Sequence, residues 1–200
     1  MLCTTLKIHT NLENLKRHIE QFITISDEEW LYFASKFEYK EFPKKKILLH
    51  LGKTENYLSF LESGIIRFFI PGIENDLTFV FAFDGWFVSA YDSFITRQPT
   101  TYEVETLTPS KLYRISYENL QMVYKETKFG NFIGRMASEY LFLYKTKREL
   151  SLLQKSAEER YLELFTEQPH LIQNIPQKFL ASYIGITPQA LSRIRKRISL

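Results

Sequence analysis

Gln189, Ser192, Arg193 and Lys196 stand at spacings of three and four near the end of this 200-residue chain. On an α-helix that spacing gathers side chains on one face. An amide that can reach adenine N6/N7, a guanidinium that can reach guanine O6/N7 and an ammonium for phosphate are the groups that read a DNA groove. Such a helix needs an apolar back, and Leu191, Ile194 and Ile198 supply it. It needs a start, and Thr187-Pro188 reads as N-cap followed by proline at the first helical position. Upstream, Leu180 and Ile184 mark a second short helix, Ala181 is small where the two would cross, and Gly185 can take the positive φ of the turn between them. Residues 176–198 therefore read as a helix-turn-helix. Gln189, Arg193 and Pro188 are the expected base contacts, with Pro188 at the start of the reading helix. Gln177, Lys178, Thr187, Ser192 and Lys196 are the expected phosphate contacts. An ordinary helix pair with a solvated basic face is the competing account. Spacing, turn residue, cap and charge all favour the DNA-binding one.

Charge points the same way. The net charge is +3, yet no acidic residue follows Glu167, while Lys178, Arg193, Arg195, Lys196 and Arg197 do. Residues 1–167 are left at −2, so a basic terminal module follows a slightly acidic body, a distribution suited to nucleic acid. Cys3 is the single cysteine, which excludes a disulfide framework, a zinc finger and a four-cysteine cluster. The start of the chain lacks a basic-then-apolar signal pattern, and the most apolar run, Phe79 to Phe83, is too short to span a bilayer. A soluble, cytoplasmic protein without a membrane partner is expected.

The body that must carry this module is rich enough for true cores, at 44% hydrophobic and 16% aromatic residues. From Asn11 to Ile23, Leu12, Leu15, Ile19 and Phe22 recur on one helical face. Ser26 with Glu29 reads as a capping box opening a second helix, with Trp30, Phe33 and Phe37 inward. Lys44-Lys45-Lys46 reads as a solvated turn. Between Tyr39 and Ser116 six short β-rich runs, with two weaker ones near 39–42 and 86–88, are separated by turn residues such as Gly52, Ser63-Gly64 and Pro109-Ser110. That spacing predicts a closed roll of the jelly-roll type, able to hold a small ligand or to be filled by its own side chains. Metal chemistry of the cupin kind would need converging histidines. Of His9, His18, His50 and His170, only His50 lies among the strands. No phosphate loop, nucleophile elbow or triad spacing is present, so no enzyme and no cofactor are expected.

Residues 117–126 read as a short helix. A longer one follows over 129–154, about 38 Å at 1.5 Å per residue. Its apolar residues cover more than one face, so it needs two partners. Phe132, Met136, Tyr140, Leu143 and Leu150 are the expected contacts with a second copy of the chain. Ser156 with Glu159 forms another capping box, and Tyr161, Leu162, Leu164 and Phe165 follow as apolar cover for the terminal module. The expected divisions are 1–128 for the roll and its flanking helices, 129–155 for the long helix and 156–200 for the DNA-binding module. The fold class is α+β: a jelly-roll-type β-roll, a long dimerisation helix and a C-terminal helix-turn-helix.

In this order the chain resembles the Crp/Fnr family of bacterial transcription regulators over nearly its whole length. The residues that carry the resemblance are IPQKFLASYIGITPQALSRIRK, GWFVSAYDSF and the strand LYRIS. The resemblance implies a cyclic-nucleotide-binding-type roll, a homodimer joined by the long helix, a second motif helix in the major groove and RNA polymerase as a partner. It also implies an effector pocket around Gly85, Phe87, Ser89, Ala90, Arg97, Thr100 and Thr101. Nucleotide-sensing members carry Gly-Glu and Arg-Ser there; the matching positions here are Ser89-Ala90 and Thr100-Thr101. With both charged partners missing, no useful affinity for cyclic AMP is expected, because an unneutralised phosphate is costly to desolvate. Arg97 is the nearby candidate substitute. The oxygen-sensing branch needs several cysteines. Another small-molecule effector, or none, remains open, as does a ligand-binding or protein-interaction roll with a vestigial helix-turn-helix. The best-known member opens its reading helix with Arg and Glu. Pro188 and Gln189 stand here, so a different operator is expected. Residues 168–176 are short for the β-hairpin wing that this family usually places before the motif.

Overall fold

The computed structural model describes residues 12–198. Cys3, His9 and the expected helix start at Asn11 lie outside them. Among the described residues two helices come first, α1 (Glu13–Glu20) and α2 (Asp27–Ser35). The expected capping box opens α2: Glu29 N–H donates to Ser26 Oγ at 3.3 Å, and the Glu29 carboxylate accepts from Ser26. Eight strands follow: β1 (Phe37–Phe42), β2 (Ile47–Leu49), β3 (Tyr57–Ser63), β4 (Ile66–Ile70), β5 (Leu77–Ala82), β6 (Phe87–Val88), β7 (Glu103–Thr106) and β8 (Ser110–Ser116). They form two four-stranded sheets, ordered β1-β8-β3-β6 and β2-β7-β4-β5. The β1–β8 pair is antiparallel and runs from Phe37 opposite Ile115 to Phe42 opposite Ser110. A short helix, α3 (Tyr91–Thr96), interrupts the strands. After them come α4 (Tyr117–Glu126), α5 (Gly130–Gln154), α6 (Ala157–Glu167), α7 (Pro169–Asn174), α8 (Gln177–Ile184) and α9 (Pro188–Ile198).

This is the expected β-roll, long helix and C-terminal helix-turn-helix. Two elements depart from expectation. Residues 91–96 turn into α3, although Tyr91-Asp92-Ser93-Phe94 carries no strong helix-start signal. Residues 169–174, read as short for a wing, form a helix, α7, that was not expected there. Pro169 presets φ for a first helical turn, so it opens a helix. Among the described residues, no strand lies in 156–198.

Contacts divide the chain into two compact units. The first holds the described residues up to Phe68 together with Phe81–Ser138. Its core joins Leu12, Leu15, Ile19, Trp30 and Phe33 to Phe37, Phe60, Phe94, Tyr113, Ile115, Leu120, Val123 and Phe129. Phe33 meets both Phe37 and Phe129 edge-on, which seats α2 and the residue preceding α5 on the roll. Phe22, expected inward, is instead exposed just beyond the end of α1. A buried Arg67–Glu105 pair at 2.6 Å bridges β4 and β7. The second unit holds Phe69–Val80, the turn between β4 and β5 with its flanks, together with the chain from Glu139 onward. The expected partner-facing residues of α5 split in two. Tyr140, Leu143 and Leu150 are exposed, while Phe132 and Met136 are half-buried.

Candidate nucleic-acid interface and candidate effector cassette

Gly185 ends α8 in the left-handed region, at φ 82°. Its N–H donates to Ser182 O at 3.1 Å, and Ile186 N–H donates to Ala181 O at 2.9 Å. Those bonds define a Schellman turn and satisfy two of the four orphan carbonyls at the helix end. The other two are taken by side chains. Arg160 donates to Ile184 O through Nε at 3.0 Å and Nη2 at 2.8 Å, and Arg148 donates to Tyr183 O. Arg160 also reaches Lys155 O just beyond the end of α5, so one guanidinium joins α6, the α5–α6 junction and α8. The Arg148 guanidinium lies 4.0 Å from the Tyr183 ring centroid. Burial raises the pKa of neighbouring Tyr144, and burial lowers that of Arg148.

The chain then turns into α9. Thr187 Oγ1 accepts from Ala190 N–H at 3.2 Å, the N-cap bond expected of Thr187-Pro188. Leu180, Ala181, Tyr183, Ile184, Leu191 and Ile194 are buried between the helices. Arg197 pairs with Glu158 of α6 at 2.6 Å, which ties the basic helix back to its support. A methyl group at Gly185 would meet only the Arg160 Nη2, at 3.7 Å, so replacement is resisted by backbone conformation rather than by crowding. Gly185→Ala should cost about 1–2 kcal/mol. Thermal unfolding would read this, with Gly185→Asn intermediate because asparagine tolerates the left-handed region better than alanine.

Gln189, Ser192, Arg193 and Lys196 are all exposed on one face of α9. Thr187 is exposed and Pro188 half-buried at its start, and Gln177 and Lys178 are exposed in the first turn of α8. The resulting surface presents amide, hydroxyl, guanidinium and ammonium groups outward from two braced helices.

The candidate effector residues lie in the first unit, and most of their polar atoms are bonded within the chain. Gly85 is an exposed turn residue at φ 85°, and Phe87 is half-buried on β6. Ser89 Oγ donates to Tyr57 O at 2.9 Å. Thr100 is buried, with its hydroxyl on Tyr102 O at 3.2 Å, and Thr101 is exposed. Arg97 closes α3 in the left-handed region, donates to Glu55 O at 2.6 Å and Asn56 Oδ1 at 2.5 Å, and covers the Tyr117 ring. Its guanidinium is a structural clamp. The amide at the start of α3, Ala90 N–H, faces the Glu55 carboxylate at 3.4 Å; that carboxylate also accepts from Asn56 and Tyr57 N–H at 2.9 and 3.0 Å. Burial raises the Glu55 pKa. The chain thus supplies its own carboxylate beside the cassette helix.

Sequence reasoning missed Glu55, Arg148 and Arg160. A charged side chain that caps main-chain groups 24 or 35 positions away leaves no local spacing to read. Among the described residues, no three His, Cys, Asp or Glu side chains are grouped to hold a metal ion. No helix among them is long and apolar enough to cross a membrane.

A β-roll followed by a long helix and a helix-turn-helix is an arrangement that known proteins share. Residues 39–127 match the family model of the cyclic nucleotide-binding domain. Among solved structures, the chain is similar to FixK2 of Bradyrhizobium japonicum, with a TM-score of 0.69 at 12% identity over 82% of this chain and 84% of that one. It is similar to a crp/fnr-family protein from Eubacterium rectale, with a TM-score of 0.68 at 16% identity over 88% and 84%. The c-di-GMP-responsive global regulator CLP of Xanthomonas campestris gives 0.64 at 18% identity over 87% and 92%. The chain has the fold of the Crp/Fnr regulators. No curated protein matches it in sequence.

Proposed function

We propose that this protein is a homodimeric, sequence-specific DNA-binding transcription regulator of the Crp/Fnr type, acting without enzymatic chemistry. The observation that carries the reading is the braced α8–α9 pair. All four last carbonyls of α8 are satisfied, and α9 presents Gln189, Ser192, Arg193 and Lys196 as one exposed stripe. Arg193 and Gln189 read bases, with Pro188 shaping the start of the reading helix. Gln177, Lys178, Thr187, Ser192 and Lys196 hold phosphates. Two copies joined along α5 read a pseudo-palindrome with half-sites roughly 34 Å apart. RNA polymerase is the expected protein partner, and the cytoplasm is the place of action. The roll does not respond to cyclic AMP. Its cassette lacks the charged pair for the phosphate and ribose, Arg97 is engaged, and the Ala90 amide at the start of α3 already faces Glu55. Any effector is a different small molecule.

Selection of bound fragments from random duplex DNA tests the reading: a palindromic consensus should emerge. On that consensus, Arg193→Ala should cost about 1–3 kcal/mol per half-site and relax preference at one base pair. Lys196→Ala should weaken all sequences alike and reduce the salt slope by about one per subunit. Identical behaviour of the two variants would overturn this assignment of roles. Calorimetric binding of cyclic AMP at micromolar affinity would overturn the claim about the cassette.

A further inference from the structure

The turn between β4 and β5 reaches the first helix of the motif, and the contact is specific. Ser182, midway along α8, donates its hydroxyl to Asp76 O at 2.6 Å and accepts from Thr78 N–H at 2.7 Å. Its Oγ is also 3.2 Å from Thr78 Oγ1. Asp76 O and Thr78 N lie two residues apart at the start of β5, so both point from the same edge of the strand. β5 is the last strand of its sheet. A helix side chain therefore bonds the main chain of an edge strand.

The position of Ser182 gives the contact a consequence. It stands four residues after Lys178, so both share one stripe of α8. In a helix-turn-helix the first helix crosses the DNA backbone, and Lys178 is the phosphate contact proposed above. The segment clasped along that stripe, Phe69–Val80, contains Glu74 and Asp76 and no basic residue. Phosphates approaching Lys178 would meet a strand edge held one helical turn away at Ser182, on a segment whose two charged residues are both acidic. Like charges on that segment oppose the approach of phosphate.

We infer that the 69–80 hairpin is an autoinhibitory clasp, an internal acidic competitor held on α8 by Ser182, which DNA must displace. This rests on the DNA-binding reading. When DNA binds, the Ser182 bonds break, the hairpin leaves α8 and the Lys178 stripe is freed. A signal that withdraws the hairpin, such as a partner that takes the place of Ser182 on β5, would raise DNA affinity without touching the reading helix.

Two full-length variants test this. Ser182→Ala removes the clasp while keeping a good helix former. Glu74→Gln with Asp76→Asn keeps the main-chain bonds and removes the charge. Affinity for the selected operator is measured by fluorescence anisotropy, together with hydrogen exchange at the Thr78 amide. Ser182→Ala should bind about tenfold more tightly, and DNA should speed Thr78 exchange in the unaltered chain. If Ser182→Ala fails to fold, tighter binding by the charge variant carries the proposal. Operator binding by the unaltered chain, with equal or weaker binding by the folded variants, overturns the clasp and leaves the DNA-binding reading standing. Binding by the variants alone supports the clasp. Binding by none of them sinks both.

Discussion

Arg160→Met is expected to destabilise the C-terminal unit by roughly 2–4 kcal/mol, the cost of stranding carbonyls that a guanidinium now satisfies. Ile184 is fully buried and its carbonyl accepts two of the Arg160 bonds; a third goes to Lys155 O. Met fills much of the same volume but donates nothing, so the loss is one of hydrogen bonding rather than packing. The reference variant is Arg160→Lys. A single ammonium cannot span Ile184 O and Lys155 O in the fork geometry of a guanidinium, so it should recover less than half the loss. Urea unfolding followed by a probe in the C-terminal unit measures both. Full recovery by lysine would show that charge alone matters there. DNA affinity should fall with stability in the methionine variant, because the α8 end that Arg160 fixes also sets the direction in which α9 leaves the turn.

The sequence made the terminal module legible to an unusual degree, and the reason is physical. Gly185, Thr187, Pro188 and the Ser156–Glu159 box act through local backbone bonds, and local bonds are written in local spacing. The eight strands were legible for the same reason, since their boundaries fall at residues that take turn conformations. What was not legible depends on partners far along the chain. Arg148 and Arg160 reach carbonyls 35 and 24 residues away, and Ser182 reaches a main chain 104 and 106 residues away. Helix α3 escaped because it has no side-chain cap and rests on the buried Ser93 and Phe94. Arg97 looked like a free cation near the cassette, yet its three main-chain and side-chain acceptors are visible only once Glu55, Asn56 and Phe94 are brought beside it.

The pairing of Arg148 with Tyr183 gives α5 a second part to play beyond length. Its C-terminal half carries Tyr144 and Arg148 toward α8 on one side and exposed Tyr140, Leu143 and Leu150 on another. An association along the exposed side would be felt at the helix-turn-helix through a single rigid element. Mobile hinges are not required for such coupling; two packed faces on one helix suffice.

Leu143→Glu with Leu150→Glu should accordingly abolish dimerisation while leaving each chain folded. The two leucines are 66% and 45% exposed in the single chain, so glutamate there disturbs no existing core. In the proposed dimer each buried leucine contributes about 1.5–3 kcal/mol. Four are lost per pair of chains, and four carboxylates would be driven into an apolar seam. Sedimentation should show the mass of one chain where the unaltered protein shows two. Operator affinity should fall by at least a hundredfold, because a monomer forfeits the effective concentration that links the second half-site to the first. Affinity for an isolated half-site should barely change, since Arg193 and Gln189 still read it. A variant that stays dimeric would move the interface off this face of α5, whereas equal losses on half-site and full site would mean that the substitutions had damaged α8 and α9 through Arg148 instead.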